Sequence, residues 1–330
     1  MSLAKFLVRR LLQGVLVVWG VVTVTFFLRF LTPGDPVTSL TPPDAGPERR
    51  EILAEQLGLN DPIHVQYFDY LTDLLMLDLG TSMSSPGRSA AAMIFHRIPA
   101  TLELAIAATI VSVIIAIPLG VISARRRHKP SDHGATLFSL VGISTPNFWL
   151  GIMLIMIVAV QFDAIPTGRR PYGLYEALQL LVLDTNPNPI GAWTAAIILP
   201  AITLGTYFTA LLTRLTRSGM LDELGKTYVE ATRAKGIPES LVLYKHVLRN
   251  TLIPIVTVLG LQLGTLIGGA VITEQVFSWP GLGHFLIQMI SERDWVLIQG
   301  ILIVVGVGFV LINIVVDAMY TYLNPKVTVE

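Results

Sequence analysis

Apolar residues in this chain come in runs too long for the interior of a water-soluble domain. Six stretches, 11–28, 104–124, 135–162, 190–213, 250–273 and 296–316, are dominated by apolar side chains. A membrane crossing needs about 20 residues at a rise of about 1.5 Å each. Inside hydrocarbon every backbone amide must find its partner within the protein, so runs of this kind fold as helices. No period-2 alternation of apolar and polar positions runs through them, which argues against an outer-membrane barrel. The pattern predicts an all-α integral membrane protein. Six transmembrane helices form a single domain over residues 1–330.

The segments between the runs have structure of their own. Residues 214–249 are strongly charged and carry helical spacing. They predict one helix over 221–235, ended by Gly236, and a second started by Pro238. The longest connection, 32–100, opens with Pro33-Gly34-Asp35-Pro36 and a turn-rich stretch holding Pro42, Pro43 and Pro47. It then shows helical spacing at 48–57 and 63–77, with Asp61-Pro62 as a stop and restart. Residues 163–189 hold a short apolar run at 175–183. Residues 274–295 read as a loop around the turn cluster Trp279-Pro280-Gly281-Leu282-Gly283.

Composition supports the membrane assignment. Apolar residues make up 52%, charged residues 14%, and mean hydropathy is +0.65. A soluble domain carries about 25% charged residues. The net charge is zero, which argues against a nucleic-acid binder. Cysteine is absent, which excludes disulfides, thiolate metal sites and a cysteine nucleophile. Of the 23 Lys and Arg residues, 15 fall in the N-terminal segment, 125–129, 214–249 and the C-terminus. That side is expected to be cytoplasmic, with both termini inside. The first apolar run is too long for a signal peptide, and no A-x-A site follows it, so it reads as an uncleaved span.

Candidate chemistry concentrates in the charged loop. Glu230, Ala231, Arg233, Lys235 and Gly236 lie on a helix and turn placed between two spans. The small residues permit close approach of a soluble partner, and Glu230 is placed to pair with a partner's arginine. The same pattern also fits an amphipathic helix lying among lipid headgroups. In the fifth span Gly260, Gly264 and Gly268 recur at four-residue spacing, followed by Gly269. Such a stripe lets helices meet closely. It serves a seam beside a translocation path, with Gln262 and Thr265 on the path wall, or equally packing within the chain. Pro118, Pro146, Pro200 and Pro254 can kink their helices.

Other features carry less. Glu103 and Asp317 sit at span ends and read as solvated helix termini. The near absence of mid-span charge argues against a proton- or sodium-driven pump. The six histidines show no metal-ligand spacing. Gly225-Lys226-Thr227 looks like the tail of a phosphate-binding loop, but the glycine needed at 220 is Met220 and no strand precedes it. No nucleophile elbow or His-Glu-x-x-His motif appears. No catalytic residue and no metal site are expected.

Several motifs together resemble a known family. They are Phe6-Leu7-Val8-Arg9-Arg10-Leu11-Leu12, Pro33-Gly34-Asp35-Pro36, Leu57-Gly58-Leu59-Asn60-Asp61-Pro62 with Gln66-Tyr67, and Asp78-Leu79-Gly80-Thr81-Ser82. To these are added Ser144-Thr145-Pro146 with Phe148, Arg214-Leu215-Thr216-Arg217, Tyr228-Val229 through Gly236, and Arg249-Asn250 with Pro254. The last outer loop adds Glu274, Phe277, Pro280-Gly281-Leu282-Gly283 and Arg293-Asp294. In order and spacing they resemble the B-type membrane subunit of dipeptide and oligopeptide ABC importers, a family that includes nickel-uptake permeases.

Two departures from the general importer motif stand out. The third position of Glu-Ala-Ala is Thr232, and the proline that follows its glycine is Pro254, with Arg249 at the usual place. The longer spacing resembles the peptide branch. The resemblance implies a type I importer permease fold, with a cytoplasmic coupling helix between spans four and five. It implies a second, different permease subunit, two cytoplasmic ATPase subunits that hold ATP and magnesium, and an external substrate-binding protein. This chain itself would bind no cofactor. The implied location is the cell membrane. The implied cargo is di- or oligopeptides, with nickel complexes or oligosaccharides as alternatives. A secondary transporter is the more distant reading.

Overall fold

The computed structural model describes residues 3–31, 46–56, 58, 60–161, 165–183 and 188–323. The motif Pro33–Pro36, Pro42, Pro43 and Lys326 lie outside them. Regular structure among the described residues is helical, with one isolated bridge between Thr81 and Ser89. The helices are α1 (Leu3–Leu31), α2 (Pro47–Gln56), α3 (Ile63–Leu75), α4 (Ala90–Arg125), α5 (Pro130–Ser144), α6 (Asn147–Leu154) and α7 (Leu174–Val182). They continue as α8 (Pro189–Leu224), α9 (Thr227–Ala234), α10 (Glu239–Leu241), α11 (Leu248–Gly269), α12 (Val271–Val276), α13 (Leu282–Glu292) and α14 (Trp295–Leu323).

Two helices of 36 residues, α4 and α8, form the centre. At about 1.5 Å per residue each is about 54 Å long, against about 30 Å of hydrocarbon, so their ends project into the flanking layers. Each start is specified locally. Ser89 Oγ accepts from Ala92 N at 3.4 Å, and Asn188 Oδ1 accepts from Gly191 N at 3.0 Å with Pro189 at the first helical position. The pair meets almost backbone to backbone. A Cβ placed on Gly120 would lie 2.5 Å from Thr216 Cβ, and one on Gly205 would lie 2.8 Å from the Ala108 carbonyl oxygen. Ser112 Oγ adds a bond to Gly205 O at 2.9 Å. Around this seam Leu104, Ala108, Ala201 and Leu204 form a buried core with Leu266 and Trp279.

The other long helices flank the pair. α1 runs antiparallel to α14, with Gln299 Nε2 donating to Thr25 O at 3.2 Å near one end and Arg10 paired with Asp317 at 3.1 Å near the other. Ile106, Ile110 and Ile114 line one face of α4 at four-residue spacing and are more than half exposed. A lipid solvent makes that arrangement inexpensive, since hydrocarbon is as apolar as isoleucine.

Among the described residues four helices are long and apolar enough to cross a membrane alone: Val8–Leu31, Ala90–Arg125, Pro189–Leu224 and Trp295–Ala318. The count reaches six if each of two bent pairs is one span. The expected span at 135–162 is one of these. It breaks into α5 and α6 at an angle of 106°. Pro146 is the cause: a proline pushes the preceding residue out of the helical region, and Thr145 sits at φ −82°, ψ 124°. After α6 the chain continues as a π turn, Ile155–Ala159. The second pair, Glu239–Leu252 and Pro254–Leu266, bends by 48°. Helical spacing at 48–57, 63–77 and 175–183 appears as α2, α3 and α7. The supposed loop 274–295 is different. It contains α13, whose Leu282, Phe285 and Met289 are buried against Ile94 and Leu297.

Candidate coupling site

The single helix expected over 221–235 is two helices. α8 runs to Leu224 and turns at Gly225, Lys226 is extended at φ −85°, ψ 145°, and α9 begins at Thr227. Glu223 organises the turn. Its carboxylate pairs with Lys226 Nζ and accepts from Tyr228 Oη at 2.7 Å and Asn250 Nδ2 at 3.4 Å. Burial and the bond to Glu223 hold the Tyr228 hydroxyl above its ordinary pKa. The turn folds α9 back onto the ends of the central pair. Val229 is fully buried with Val121 and Ala124 of α4, Met220 of α8, and Val242 and Leu243 of the π turn Val242–Val247.

α9 therefore has an inner and an outer face. Val229 points in. Glu230, Ala231, Arg233, Lys235 and Gly236 are all exposed. Arg233 spans the next turn, donating from Nε to Glu239 Oε2 at 3.1 Å and from Nη2 to Oε1 at 2.7 Å. That bond raises the arginine's pKa further. Both partners are more than 40% exposed, so the pair is worth at most about 1 kcal/mol. Glu230 and Lys235 make no hydrogen bond or ion pair with any described residue. Gly236 sits at φ +73°, and a Cβ built there meets nothing within 4 Å. Its glycine is favoured by the left-handed backbone, not by crowding. Gly225-Lys226-Thr227 follows a helix, where a phosphate-binding loop follows a strand. Among the described residues no three His, Asp or Glu side chains converge as metal ligands.

The glycine stripe lies on α11 and faces this chain's own α14. A Cβ on Gly260 would lie 2.2 Å from Val316 Cγ1, and one on Gly264 would lie 3.2 Å from the Phe309 ring. Thr265 Oγ1 donates to Gln262 O at 2.8 Å and bonds Gln262 Oε1 at 3.0 Å. Gly268 belongs to α11, and its surroundings lie outside the described side chains.

Three carboxylates to which sequence reasoning assigned no bracing role are hubs. Glu103 is not a solvated helix end. It accepts from Arg170 Nε at 3.0 Å and Nη2 at 2.7 Å, Leu174 N at 2.9 Å and Trp193 Nε1 at 3.0 Å. Glu274 accepts from Thr101 Oγ1 at 2.7 Å, Gly283 N at 2.7 Å and His284 N at 3.0 Å. Asp132 accepts from Ser123 Oγ, His128 N and both arms of Arg217. Most of their donors are distant in sequence or are backbone amides at helix starts and turns, and local pattern does not reveal such pairings. At the end of the bundle away from α9, Arg29, Asp69, Tyr70, Asp73 and Asp78 line a cavity of about 250 Å³. Burial pushes the Tyr70 hydroxyl up to about 12.

Long apolar helices that cross a bilayer, with a charged helical turn projecting beyond them, define a polytopic α-helical membrane protein. The chain belongs to the family of binding-protein-dependent transport system inner membrane components, whose model matches residues 116–329. The companion N-terminal model of the same membrane component matches residues 3–105. The chain is 38% identical to the oligopeptide transport system permease protein of Bacillus subtilis (strain 168), over 98% of this chain and 99% of that relative. It is 39% identical to the dipeptide transport system permease protein of Alkalihalophilus pseudofirmus, over 98% of each chain. It is 35% identical to the glutathione transport system permease protein of Salmonella choleraesuis, again over 98% of each. This protein is accordingly a multi-pass permease component of a transport system and not an enzyme.

Proposed function

We propose that this chain is one half of the membrane pore of an ATP-driven importer of di- or oligopeptides, and that α9 is its coupling helix. The observation that carries the reading is the two-sidedness of α9. Val229 anchors it in the core shared with α4 and α8, while Glu230, Ala231, Lys235 and Gly236 stand bare on the outside. A bare charged face on a rigidly anchored helix is suited to a soluble partner. In this reading the whole chain is one transmembrane domain of six spans, each bent pair counting once, with both termini and α9 in the cytoplasm. A second, different permease subunit completes the pore. Two ATPase subunits carry ATP and magnesium, and this chain binds neither.

A binding protein on the outer side delivers the cargo near α3, where Asp69 and Asp73 are exposed. The peptide cargo is supported by the names of the full-length relatives. ATP binding draws the ATPases together and moves α9 with them. The spans respond only if the ATP-bound partners hold α9 differently from the ATP-free ones.

The test is Glu230→Lys in the assembled complex. The change reverses a charge on the bare face and barely alters helix propensity. A partner cation facing residue 230 would be repelled, weakening docking by about 1–3 kcal/mol if the contact is desolvated. ATPase rates measured with and without loaded binding protein should lose their stimulation. Stimulation equal to wild type would refute Glu230 as a docking contact.

A further inference from the structure

Asp132 stands on the first turn of α5, away from the bare face of α9, and is 3% exposed. Its Oδ1 accepts from Ser123 Oγ at 2.6 Å and Arg217 Nε at 2.6 Å. Its Oδ2 accepts from Arg217 Nη2 at 2.9 Å and His128 N at 2.9 Å. Such a two-armed arginine–carboxylate pair fixes orientation as well as distance. Closing the short turn between α4 and α5 requires only the nearby donors, Ser123 and His128. Arg217 is different. It lies 85 residues away on α8 and brings a third helix to the same carboxylate.

The donors on α4 and α8 belong to the body that carries α9. Ser123 lies between Val121 and Ala124, and Arg217 lies one turn before Met220. Those three apolar residues enclose Val229 of α9. Close-packed interiors shift as units and do not deform smoothly, so displacing α9 displaces this cluster. Asp132 belongs to another element. α5 runs from it to the 106° bend at Thr145-Pro146, and there α6 begins.

We propose that Asp132 and Arg217 are positioning residues for transport. They form a rigid brace that passes movement of α9 to α5 and on to the bend. The proposal rests on the reading of α9 as the coupling helix.

The chain contains no cysteine, so two introduced labels are unique within it. Spin labels at Leu137→Cys on α5 and Tyr244→Cys beside α9 occupy exposed positions, 61% and 55% accessible. A second pair, Leu75→Cys with Tyr244→Cys, reports movement of the α9 body relative to α3. Distances are measured in the assembled complex, nucleotide-free and ATP-trapped. With the network intact, the 75–244 distance should change between states and the 137–244 distance should not. In Asp132→Asn the 137–244 distance should also become state-dependent. Uptake per ATP hydrolysed should then fall about tenfold at unchanged membrane abundance. Arg217→Lys, which keeps charge but loses the fork, should fall between.

A 137–244 distance that changes in the unsubstituted network overturns the brace and leaves the coupling reading standing. This measurement needs no Asp132 variant to fold. Normal uptake per ATP in a well-expressed Asp132→Asn complex overturns the brace as well. A 75–244 distance that ignores nucleotide overturns the coupling reading, and the brace falls with it.

Discussion

Substituting Gly236 three ways separates the shape of the α9–α10 turn from its charge. The residue sits at φ +73° in open space. Alanine there pays only the left-handed penalty, about 1–2 kcal/mol, because no neighbour is near enough to add a clash. Ile237 packs on the core around Val229, and two polar interactions close the turn itself: the Gly236 N to Arg233 O bond at 2.9 Å, and the exposed Arg233–Glu239 pair. They are worth about 1 kcal/mol each at most, so they do not absorb the penalty with room to spare. Alanine should therefore reduce the population of the native turn by up to about 5–30-fold, and apparent affinity for a docked partner by the same factor. Asparagine and aspartate both tolerate the left-handed region and have the same shape. They differ by one negative charge on a bare surface. Uptake by reconstituted complexes, normalised to membrane abundance, should rank glycine and asparagine together, alanine below them, and aspartate lowest. Equal uptake by the aspartate and asparagine variants would remove charge-sensitive docking at this turn. Alanine equal to glycine would show that the positive φ is not needed.

The central seam should tolerate no Cβ at residue 120. Gly120→Ala should cost about 1–3 kcal/mol by overpacking, read as a lower thermal midpoint in detergent. Thr216→Ala should not relieve it, because the nearest atom is Thr216 Cβ itself, whereas Thr216→Gly should relieve it in part, the Thr213 carbonyl oxygen remaining 3.0 Å away. Glu103→Ala, which strands Arg170 and the Trp193 N–H, should cost about 3 kcal/mol, read as the same midpoint. Burial raises the Glu274 pKa despite its three donors, so the folded state favours its protonated form. A raised carboxylate contributes stability below its ordinary value and loses it as pH rises through the folded value. The wild-type midpoint should therefore fall relative to Glu274→Gln as pH increases through that window, and a rise would refute the assignment.

Much of the architecture was legible because lipid imposes a simple rule on apolar length. Residues 104–124 and 190–213 announce helices without help from any partner, and 63–77 shows its amphipathic spacing openly. The failures have physical causes. The proline at 146 was visible, but a tolerated kink and a 106° break look alike until Thr145 is seen leaving the helix. The 221–235 segment has good helical spacing throughout. It breaks because Glu223 draws Lys226, Tyr228 and Asn250 into a turn and because Val229 has a core to reach. α13 was hidden behind its own turn cluster, although Leu282, Phe285 and Met289 carry the i, i+3, i+7 pattern that would have found it. Glu230, Ala231, Arg233, Lys235 and Gly236 were legible as small and charged positions on a helix and turn, and in the fold they are exposed. The braces at Glu103, Asp132 and Glu274 were not found, since distant donors meet only after folding.

The break at Pro146 also bears on how the chain enters the membrane during synthesis. α5 has 15 residues, about 22 Å, and α6 with its π turn is shorter still, so neither half crosses about 30 Å of hydrocarbon by itself. The backbone groups freed between them cannot face lipid. What covers them comes from α8 and the end of α12, where Gly142 lies against Ala210, and Gly151 against Thr203, Val276 and the following Phe277. Those residues leave the ribosome after the break does. The bent pair α5–α6 can therefore reach its final covered form only once both α8 and the residues around α12 have been made.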